Sequence, residues 1–501
     1  MHLDSYQISM TSIVSLDHVD SVRREVAPKT DRKLKSALGQ FMTPSSVARF
    51  MAGMFPPSSV EKCRLLDAGA GMGALSCAFL DRWKAGEHKF KQVEATAYEI
   101  DEKLRVHLSN HLAGYADVTP TVVGGDYIEL TATPDFVSPG YTHAILNPPY
   151  KKINTGSAHR LALRTVGIET VNLYSAFVAL AVAQMSPGGQ VVAIIPRSFC
   201  NGPYYKPFRK FVLERAAIRD IHLFNSRSTA FKDDEVLQEN IIIRLERDGE
   251  QGDVNITTST DDSFSDLVSH SHSFNRIVFD TDPERFIHVP VSPEESAIEQ
   301  SKTVAFSPED LGVKISTGPV VGFRMRSLLR ELPEPGTVPL LYPNHFSSNG
   351  LGVVWPGESR KKPSAILRNE ETEKWLYPNG FYCLVRRFSS KEEKRRVVAR
   401  VLDPSEIGDS PMVGLENYFN VFHDKKKGLS KELAYGLAVY LNCTAVDQQF
   451  RRFNGHTQVN AADLKLMKYP SRETLLGLGS WAIKQKEITQ KIIDQKMEEV
   501  L

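Results

Sequence analysis

Cysteine is scarce in this sequence, with five residues among 501, and no two of them form a Cys-x-x-Cys pair. The scarcity excludes a scaffold held together by disulfides. The wide spacing argues against a zinc site, so no metal is predicted. We expect reduced residues in the core of a cytosolic protein, at Cys63, Cys77, Cys200, Cys383 and Cys443.

Long apolar runs are also missing. No run approaches the roughly 18 residues that a membrane helix needs. Residues 176–185, among the longest runs, fit a buried helix instead. Residues 1–4 show no basic segment followed by an apolar one, so we expect no signal peptide. With 41% hydrophobic and 24% charged residues, the composition indicates a soluble globular protein with two or three domains.

A large net charge is absent too, because 61 Lys and Arg nearly balance 60 Asp and Glu to leave +1. The charge is nevertheless uneven along the chain. Residues 314–470 hold 24 basic against 16 acidic side chains, whereas the rest of the chain holds 37 against 44. A basic C-terminal part favours a polyanionic partner. Basic and aromatic residues alternate there in runs that suit phosphate and base contacts, although each run alone is also typical of a solvated surface: 360–362, 381–388 and 425–427.

A glycine-rich turn follows the first predicted strand. In the segment Cys-Arg-Leu-Leu-Asp-Ala-Gly-Ala-Gly-Met-Gly at 63–73, a short apolar strand ends at Asp67. Residues 74–83 then have helical character, as in the first unit of a doubly wound sheet, where glycines let a ligand approach backbone N–H groups. The spacing Gly69-x-Gly71-x-Gly73 differs from the Gly-x-Gly-x-x-Gly of dinucleotide-binding enzymes.

Three further predicted strands end at polar residues, which are Glu99, Asp126 and Asn147. The carboxyl ends of parallel strands meet at one edge of an open α/β sheet, where ligands bind. An acid at the tip of the second strand can accept hydrogen bonds from both hydroxyls of a ribose. A single ribose without a pyrophosphate site favours S-adenosylmethionine over NAD as the ligand.

The motif Asn147-Pro148-Pro149-Tyr150 ends the fourth predicted strand. Proline has no N–H and a fixed φ, so the strand cannot continue, and the rigid turn points backbone carbonyls outward. Asn147 adds a side-chain oxygen, and Tyr150 adds a flat face. This set suits a planar group that carries an amine, such as an adenine, although a bare Pro-Pro turn is more often purely structural.

The α/β alternation continues after a polar segment at 151–167, which we predict to be a loop. Upstream, Thr43 or Ser45 is predicted to cap a helix. We predict residues 1–35 to be irregular, and residues 247–273, rich in Asp, Ser, Thr and Gly, to be a boundary or an insertion. The remaining predicted elements are helices at 173–185 and 203–216 and strands at 190–195, 218–224 and 239–245.

The motifs, taken in their order along the chain, resemble those of the TaqI-like (gamma-class) N6-adenine DNA methyltransferases of type II restriction–modification systems. The resemblance spans nearly the whole chain. Residues 40–44, 67–73, Glu99, Asp126 and 147–150 come first, and a separate basic region follows. The tail at 450–470 is similar to that of the PstI/BsuBI-type branch of the family, which implies methylation of an adenine within CTGCAG.

The resemblance implies S-adenosylmethionine as the cofactor. Its methionine end would lie against Phe41, Thr43 and Pro44, its ribose hydroxyls on Glu99, and its adenine amine on Asp126. The full set of cofactor-binding residues that the resemblance implies is Phe41, Thr43, Pro44, Asp67, Ala68, Gly69, Gly71, Gly73, Glu99, Ile100, Asp126, Tyr127 and Asn147.

The resemblance also implies which residues contact the target base. Asn147 and the carbonyl of Pro148 would accept the two hydrogens of the target amine, next to Pro149. Tyr150 would stack on a base that has left the duplex, and Phe231 would contact the same base from its edge or its opposite face.

The sequence therefore predicts an α/β fold with a doubly wound, mostly parallel sheet of the class I S-adenosylmethionine-dependent methyltransferase type, plus a C-terminal mixed α+β target-recognition domain. The predicted domains are an N-terminal arm (1–36), the catalytic domain (37–300), the target-recognition domain (301–475) and a C-terminal amphipathic helix (476–501).

Double-stranded DNA and a separate cognate restriction endonuclease are the predicted partners, with neither a membrane nor a metal. The alternatives that stay open are an RNA adenine methyltransferase, a protein glutamine-N5 methyltransferase and a non-catalytic DNA-binding specificity protein.

Overall fold

The chain divides into two compact units, Met1–Pro293 and Glu294–Leu501. The division lies close to the predicted boundary between residues 300 and 301. The structure, a computed structural model, describes residues 15–26, 42–224, 239–280, 282–293, 297–356, 362–390, 392–454 and 458–501.

A nine-stranded sheet forms the centre of the first unit, in the order β3-β2-β1-β4-β5-β7-β6-β8-β9. The strands are β1 (Lys62–Ala68), β2 (Gln92–Glu99), β3 (Val118–Gly124), β4 (Tyr141–Leu146), β5 (Met185–Pro196), β6 (Ala216–Phe224), β7 (Asn240–Arg247), β8 (Val254–Ser259) and β9 (Val268–His272).

The strands β1 to β5 are paired in parallel, and β7 lies antiparallel between β5 and β6. The apolar runs that predicted the strands have a physical cause, because a central parallel strand is covered on both faces and needs apolar side chains on both. Residues 143–146 of β4 are all buried, for example. The doubly wound, mostly parallel α/β fold is therefore confirmed.

Helices cover both faces of this sheet. One face buries side chains of α1 to α4, and the other buries side chains of α5 to α8. The helices are α1 (Leu16–Val26), α2 (Ser45–Gly53), α3 (Ala74–Lys84), α4 (Glu102–Ala113), α5 (Tyr127–Thr131), α6 (Ala158–Thr165), α7 (Leu173–Gln184) and α8 (Lys206–Leu213).

Three regions predicted to be irregular are regular in the structure. Residues 16–26, inside the predicted arm, form α1, because Leu16 and Val19 lie three residues apart and both are buried. Part of the predicted loop at 151–167 forms α6, which the Ser157 side chain caps by accepting from Arg160 N.

The third correction concerns residues 247–273, predicted to be a boundary or an insertion. They contribute β8 and β9, which extend the sheet beyond β6. The alternation of buried Val254 and Ile256 with half-buried Asn255 makes β8 a strand despite its polar composition. All five cysteines lie in the described residues, are buried and form no disulfide there.

The second unit combines two larger sheets with helices, in agreement with the predicted α+β class. A four-stranded antiparallel sheet has the order β11-β19-β16-β17, a five-stranded sheet the order β12-β14-β13-β18-β15, and β10 pairs with β20. The strands are β10 (Val304–Phe306), β11 (Lys314–Thr317), β12 (Leu329–Arg330), β13 (Thr337–Leu341), β14 (Ala365–Leu367), β15 (Tyr377–Pro378), β16 (Tyr382–Arg386), β17 (Ala399–Leu402), β18 (Met412–Leu415), β19 (Phe419–His423) and β20 (Tyr469–Pro470).

The helices of the second unit lie mainly in its last 71 residues, 431–501. They are α9 (Ala297–Gln300), α10 (Glu370–Glu373), α11 (Lys431–Leu441), α12 (Thr444–Phe453), α13 (Ala461–Leu466), α14 (Arg472–Ile483) and α15 (Gln490–Glu498).

The predicted C-terminal helix at 476–501 is wrong in detail. Two helices occupy this region, and α14 begins inside the predicted target-recognition domain. The Thr489 side chain starts α15 by accepting from Ile492 N, so the helical register begins anew there. As a result α15 buries Ile493 and Met497, whereas Ile492 is half-buried. Among the described residues, no helix combines the length and the apolar character needed to cross a bilayer.

Candidate active site

The carboxyl ends of the four neighbouring strands β3, β2, β1 and β4 border one cavity of the first unit. The predicted site residues meet at this edge of the sheet, as the parallel pairing requires. Those that line the cavity are Thr43, Gly69, Gly71, Glu99, Ile100, Asp126, Tyr127, Asn147 and Pro149.

The glycine-rich turn wraps around the end of β2. The backbone N–H groups of Gly69 and Ala70 both donate to Tyr98 O at 2.9 Å. Gly71 has a φ of +57°, which favours glycine, and a Cβ there would meet no atom within 4 Å. Gly71 also lines the cavity. The turn therefore leaves open space beside a backbone that a ligand can approach closely.

Glu99 links the turn to the next helix. Its Oε2 accepts from Gly71 N at 2.7 Å, and its Oε1 accepts from Asp101 N at 2.8 Å. Burial raises the pKa of the Glu99 carboxyl above its ordinary value, although the two backbone donors oppose this. Each carboxylate oxygen can accept more than one hydrogen bond, so a fixed Glu99 at the cavity wall can still receive ligand hydroxyls.

Asp67 lies behind the cavity wall and not on it. It is almost fully buried, and its Oδ2 accepts from Ser76 N at 3.2 Å and from Ser76 Oγ at 2.7 Å. Its Oδ1 has no hydrogen-bond partner among the described residues. Asp67 therefore ties the end of β1 to the first turn of α3, and its predicted contact with the cofactor stays a prediction.

Burial raises the pKa of Asp67 to about 7, although its hydrogen bonds with Ser76 lower it. The folded chain then holds a proton that the unfolded chain releases near its ordinary pKa of 3.8. The stability that this proton contributes is full below pH 4 and is lost as the pH rises towards 7.

We expect the free energy of unfolding of Asp67→Asn, relative to that of the wild type, to be higher at pH 8 than at pH 5. Urea unfolding at pH 5 and at pH 8 measures this difference, with Asp135→Asn, at an exposed position, as the control. An equal difference between variant and wild type at the two pH values would contradict this account.

Asp126 caps α5 and also contacts a histidine. Its Oδ1 accepts from Ile128 N at 2.8 Å and from Glu129 N at 3.1 Å. Its Oδ2 lies 3.0 Å from Nε2 of His159, on α6. The segment after the Asn-Pro-Pro-Tyr motif thus returns to the cavity, and His159 lines it together with Asp126.

The amide of Asn147 is held from both sides. Its Nδ2 donates to Thr43 Oγ1 at 3.0 Å, and its Oδ1 accepts from the Tyr150 hydroxyl at 3.3 Å. The first bond ties the amide of Asn147 to the segment that leads into α2. It also corrects the prediction that Thr43 or Ser45 caps α2, because Pro44 is the N-cap residue and no side chain caps this helix.

Tyr150 is half-buried, and its hydroxyl also lies 3.3 Å from the carbonyl of Ile194 in β5. Burial raises the pKa of the Tyr150 phenol above its ordinary value, so the hydroxyl stays a donor. The ring stands nearly perpendicular to that of Tyr174, with centroids 6.2 Å apart. Stacking of Tyr150 on a base stays a prediction.

Several predicted residues do not line the cavity. Ala68 and Pro148 are buried, and Gly73, at φ +90°, is the N-cap residue of α3. Phe41 and Phe231 lie outside the described residues. Further residues line the cavity that the sequence did not single out, among them Arg23, Met42, Tyr98, Lys151, His159 and Phe177. A polar segment directly after a motif was the one signal that pointed to Lys151 and His159.

An aromatic and basic surface lies in the second unit. The rings of Phe388 and Tyr418 meet edge to face at 4.7 Å, and both residues are about two-fifths exposed. The Lys362 Nζ lies 4.6 Å from the Tyr342 ring centroid and 5.4 Å from that of Tyr418. Tyr342 is buried, and we call Lys362, Phe388 and Tyr418 the aromatic–lysine surface. Of the predicted basic runs, residues 360 and 361 lie outside the described residues.

Comparisons with known proteins find methyltransferases of restriction–modification systems. The family model "Eco57I restriction-modification methylase" matches residues 80–231. The type II methyltransferase M.BsuBI of Bacillus subtilis is 52% identical over 98% of this chain and 99% of its own length. The type II methyltransferase M.PstI of Providencia stuartii is 42% identical over 91% and 92%.

Among solved structures, a cryo-EM structure of a DrdV–DNA complex covers 94% of this chain and 59% of its own, with a TM-score of 0.52 and 12% identity. That likeness shows a shared fold. The identity to M.BsuBI and M.PstI, by contrast, extends over nearly the whole length of each protein. The chain belongs to the family of type II methyltransferases of restriction–modification systems that includes M.BsuBI and M.PstI.

Proposed function

We propose that this DNA methyltransferase transfers a methyl group from S-adenosylmethionine to the N6 amine of an adenine in double-stranded DNA, within the sequence CTGCAG. The observation that carries the proposal is the fixed amide of Asn147, which Thr43 and Tyr150 hold at the wall of a cavity that also contains Glu99 and Asp126.

The cavity residues suit S-adenosylmethionine. Glu99 and Asp126 place acceptors at the ends of β2 and β3, for the ribose hydroxyls and the adenine amine. Gly71 leaves room for close approach of the ligand. When bound, S-adenosylmethionine supplies an electrophilic methyl group on a sulfonium.

The chemical problem is that an exocyclic amine is a poor nucleophile, because its lone pair is delocalised into the ring. Asn147 Oδ1 and the Pro148 carbonyl would accept both amine hydrogens and so favour a pyramidal nitrogen with an available lone pair. No general base would be needed before attack, because the amine would lose its proton to water only after the N–C bond has formed and the C–S bond of the sulfonium has broken. Positioning by fixed groups then supplies much of the rate enhancement.

The two acceptors would also serve the N4 amine of a cytosine. We propose adenine because the motif order of the chain resembles that of the N6-adenine enzymes. The target base must leave the duplex at a cost of about a few kcal/mol. Stacking on the Tyr150 ring would offset part of this cost, with Phe231 as the second aromatic contact.

The second unit would recognise the DNA sequence. Its excess of basic residues suits the phosphate backbone of DNA. Its aromatic–lysine surface offers aromatic rings for stacking on bases, together with the cation of a lysine. A separate endonuclease with the same recognition sequence is the proposed functional partner, and the cytosol, where the chromosome lies, is the proposed location.

Single-molecule sequencing of chromosomal DNA tests the proposal. Bacteria that lack adenine methylation of their own are compared with and without expression of the chain. We expect N6-methyladenine at CTGCAG in the expressing cells and nowhere in the control. Methylated adenine in another sequence context would contradict only the proposed recognition sequence. Methylated cytosine would contradict the proposed target atom.

A further inference from the structure

Another cavity lies within the second unit, and we call it the arginine cavity. Its volume is about 640 Å³, which falls within the range of ligand sites in proteins. Four basic side chains line it against two acidic ones, which leaves a formal charge of +2 and favours an anionic ligand. The basic residues are Arg386, Lys394, Arg395 and Arg400, and the acidic ones are Glu393 and Glu487.

Arg400 lines this cavity without a carboxylate of its own. It is a half-buried residue of β17, and it forms no ion pair in the described part of the chain. Its Nε donates to the carbonyl of Ser347 at 3.2 Å, and its Nη1 donates to the carbonyl of Ala399 at 2.9 Å. Burial and the charges of Arg395 and Arg386 lower the pKa of Arg400 below its ordinary value. An anion in the cavity would relieve the repulsion among these three like charges.

The two neighbouring arginines are compensated only in part. Arg386 forms an ion pair with Glu393. Arg395 forms none with any described residue, and its buried Nε has no hydrogen-bond partner among them. The carboxylates of Asp447 and Asp494 act on Arg395 from beyond ion-pair distance, and each is bound by other groups. Glu393 is thus the one acid of the lining that an arginine of the cavity binds.

The start of α15 borders the same cavity. Thr489 and Gln490 line it, and the first turn of α15 contains no acidic residue. The N–H groups at the start of a helix carry partial positive charge, which favours a nearby anion. Glu487, just before the helix, is exposed to solvent. The helix start therefore adds to the positive potential that the three arginines create.

Residues 349–351 line both the arginine cavity and a second cavity that shares this wall. Gly350 has a φ of +77°, and a Cβ there would meet no atom within 4 Å, so the turn is open to a ligand. The second cavity adds exposed Lys486 and Lys431, whose Nζ lies 3.4 Å from Asp403. The basic lining thus continues from one cavity into the next, which suits a polymer of phosphates.

We propose that the arginine cavity binds a phosphate group of the DNA backbone through Arg386, Arg395 and Arg400, an inference that rests on DNA as the partner under the proposed function. The rigid guanidinium fork of an arginine matches phosphate oxygens in shape and charge. A backbone contact positions the duplex but does not read its sequence. The cavity therefore strengthens the binding of every duplex, and the choice of CTGCAG falls to other residues.

Loss of one phosphate contact has a signature in the salt dependence of binding. The logarithm of the affinity for duplex DNA falls against that of the salt concentration with a slope of about 0.9 per phosphate contact. We expect Arg400→Gln to weaken the binding of a CTGCAG duplex by about 5- to 10-fold in about 100 mM salt and to reduce this slope by about one contact. A duplex with a scrambled site should lose affinity by the same factor. Fluorescence anisotropy of both labelled duplexes over a series of salt concentrations measures these effects.

Lys491→Gln is the matched control, because Lys491 is exposed in the first turn of α15 and does not line the arginine cavity. It removes the same charge and should leave affinity and slope as in the wild type. Wild-type affinity of Arg400→Gln would overturn the inference, and so would an equal loss in Lys491→Gln or a loss confined to the CTGCAG duplex.

If Arg400→Gln does not fold, Arg400→Lys carries the test, because it keeps the charge and removes the planar fork. We expect this variant to bind both duplexes about 3-fold more weakly than the wild type, and wild-type affinity would then overturn the inference. A wild type that binds neither duplex would overturn the proposed DNA partner itself.

Discussion

Asn147→Ala should lower kcat for methyl transfer to DNA by about 1,000-fold while S-adenosylhomocysteine binds as it does to the wild type. The substitution removes the amide oxygen that we propose as an acceptor for the target amine. Loss of one fixed polar group that acts on the reacting atoms typically costs about 100- to 1,000-fold. The cofactor site should survive, because Glu99, Asp126 and the glycine-rich turn do not depend on Asn147 for their hydrogen bonds.

Two further variants separate chemistry from positioning. Thr43→Val removes the acceptor that fixes the amide of Asn147 at 3.0 Å, so the amide can rotate. We expect it to lower kcat by about 10-fold, less than Asn147→Ala does. Exposed Asn154, in the segment after the motif, offers the matched control, and Asn154→Ala should leave kcat unchanged. Wild-type turnover by Asn147→Ala would remove this residue from the mechanism.

Gly479→Ala should strongly destabilise the second unit. The helices α11 and α14 cross so closely that a Cβ at Gly479 would overlap the carbonyl of Glu432, and a Cβ at Gly436 would overlap the carbonyl of Leu475. Backbone atoms cannot move aside as a flexible side chain can, so the helices must separate. We expect the free energy of unfolding to fall by about 3 kcal/mol, at the upper end of the range for overpacked cores.

The same helix contains its own control. Gly477 is exposed, and a Cβ there meets no atom within 4 Å. Gly477→Ala should stabilise α14 by about 0.5–1 kcal/mol, because alanine loses less backbone entropy than glycine in a helix. Hydrogen–deuterium exchange of the amides of α11 and α14, with urea unfolding of the full chain, measures both effects. Slower or unchanged exchange in Gly479→Ala would contradict the close crossing.

The sequence predicted the edge of the sheet well because the signals there are local. A buried strand needs a short apolar run, and the polar residue that ends the run is visible beside it, as with Asp67, Glu99 and Asn147. Parallel pairing then brings these ends together without further information. The order of the motifs along the chain was therefore enough to predict that these strand ends lie at one edge of the sheet, although Asp67 lies behind the cavity wall.

Contacts between distant parts of the chain were not visible. The hydrogen bond between Asn147 and Thr43 joins residues 104 positions apart, and a local helix rule assigned the hydroxyl of Thr43 to a cap instead. Likewise, nothing near Arg23 marks it as a lining residue, although the spacing of Leu16 and Val19 could have indicated the helix.

Polar elements at the margins were missed for another reason. β9 lies at the edge of the sheet and buries only one of its five residues, so it carries almost no apolar signal. The break between α14 and α15 contains neither Gly nor Pro, and the cap by Thr489 was the one local sign of a new helix. Such elements depend on pairing and packing partners that the local sequence does not reveal.

The central claim is that the amide site at Asn147 directs a methyl group to the N6 amine of adenine. The most direct measurement digests a duplex that contains CTGCAG, after incubation with the purified chain and labelled S-adenosylmethionine, and identifies the methylated nucleoside by mass spectrometry. The account predicts labelled N6-methyldeoxyadenosine with the wild type and about 1,000-fold less of it in the same time with Asn147→Ala. Labelled N4-methyldeoxycytidine, or equal label with both proteins, would contradict it.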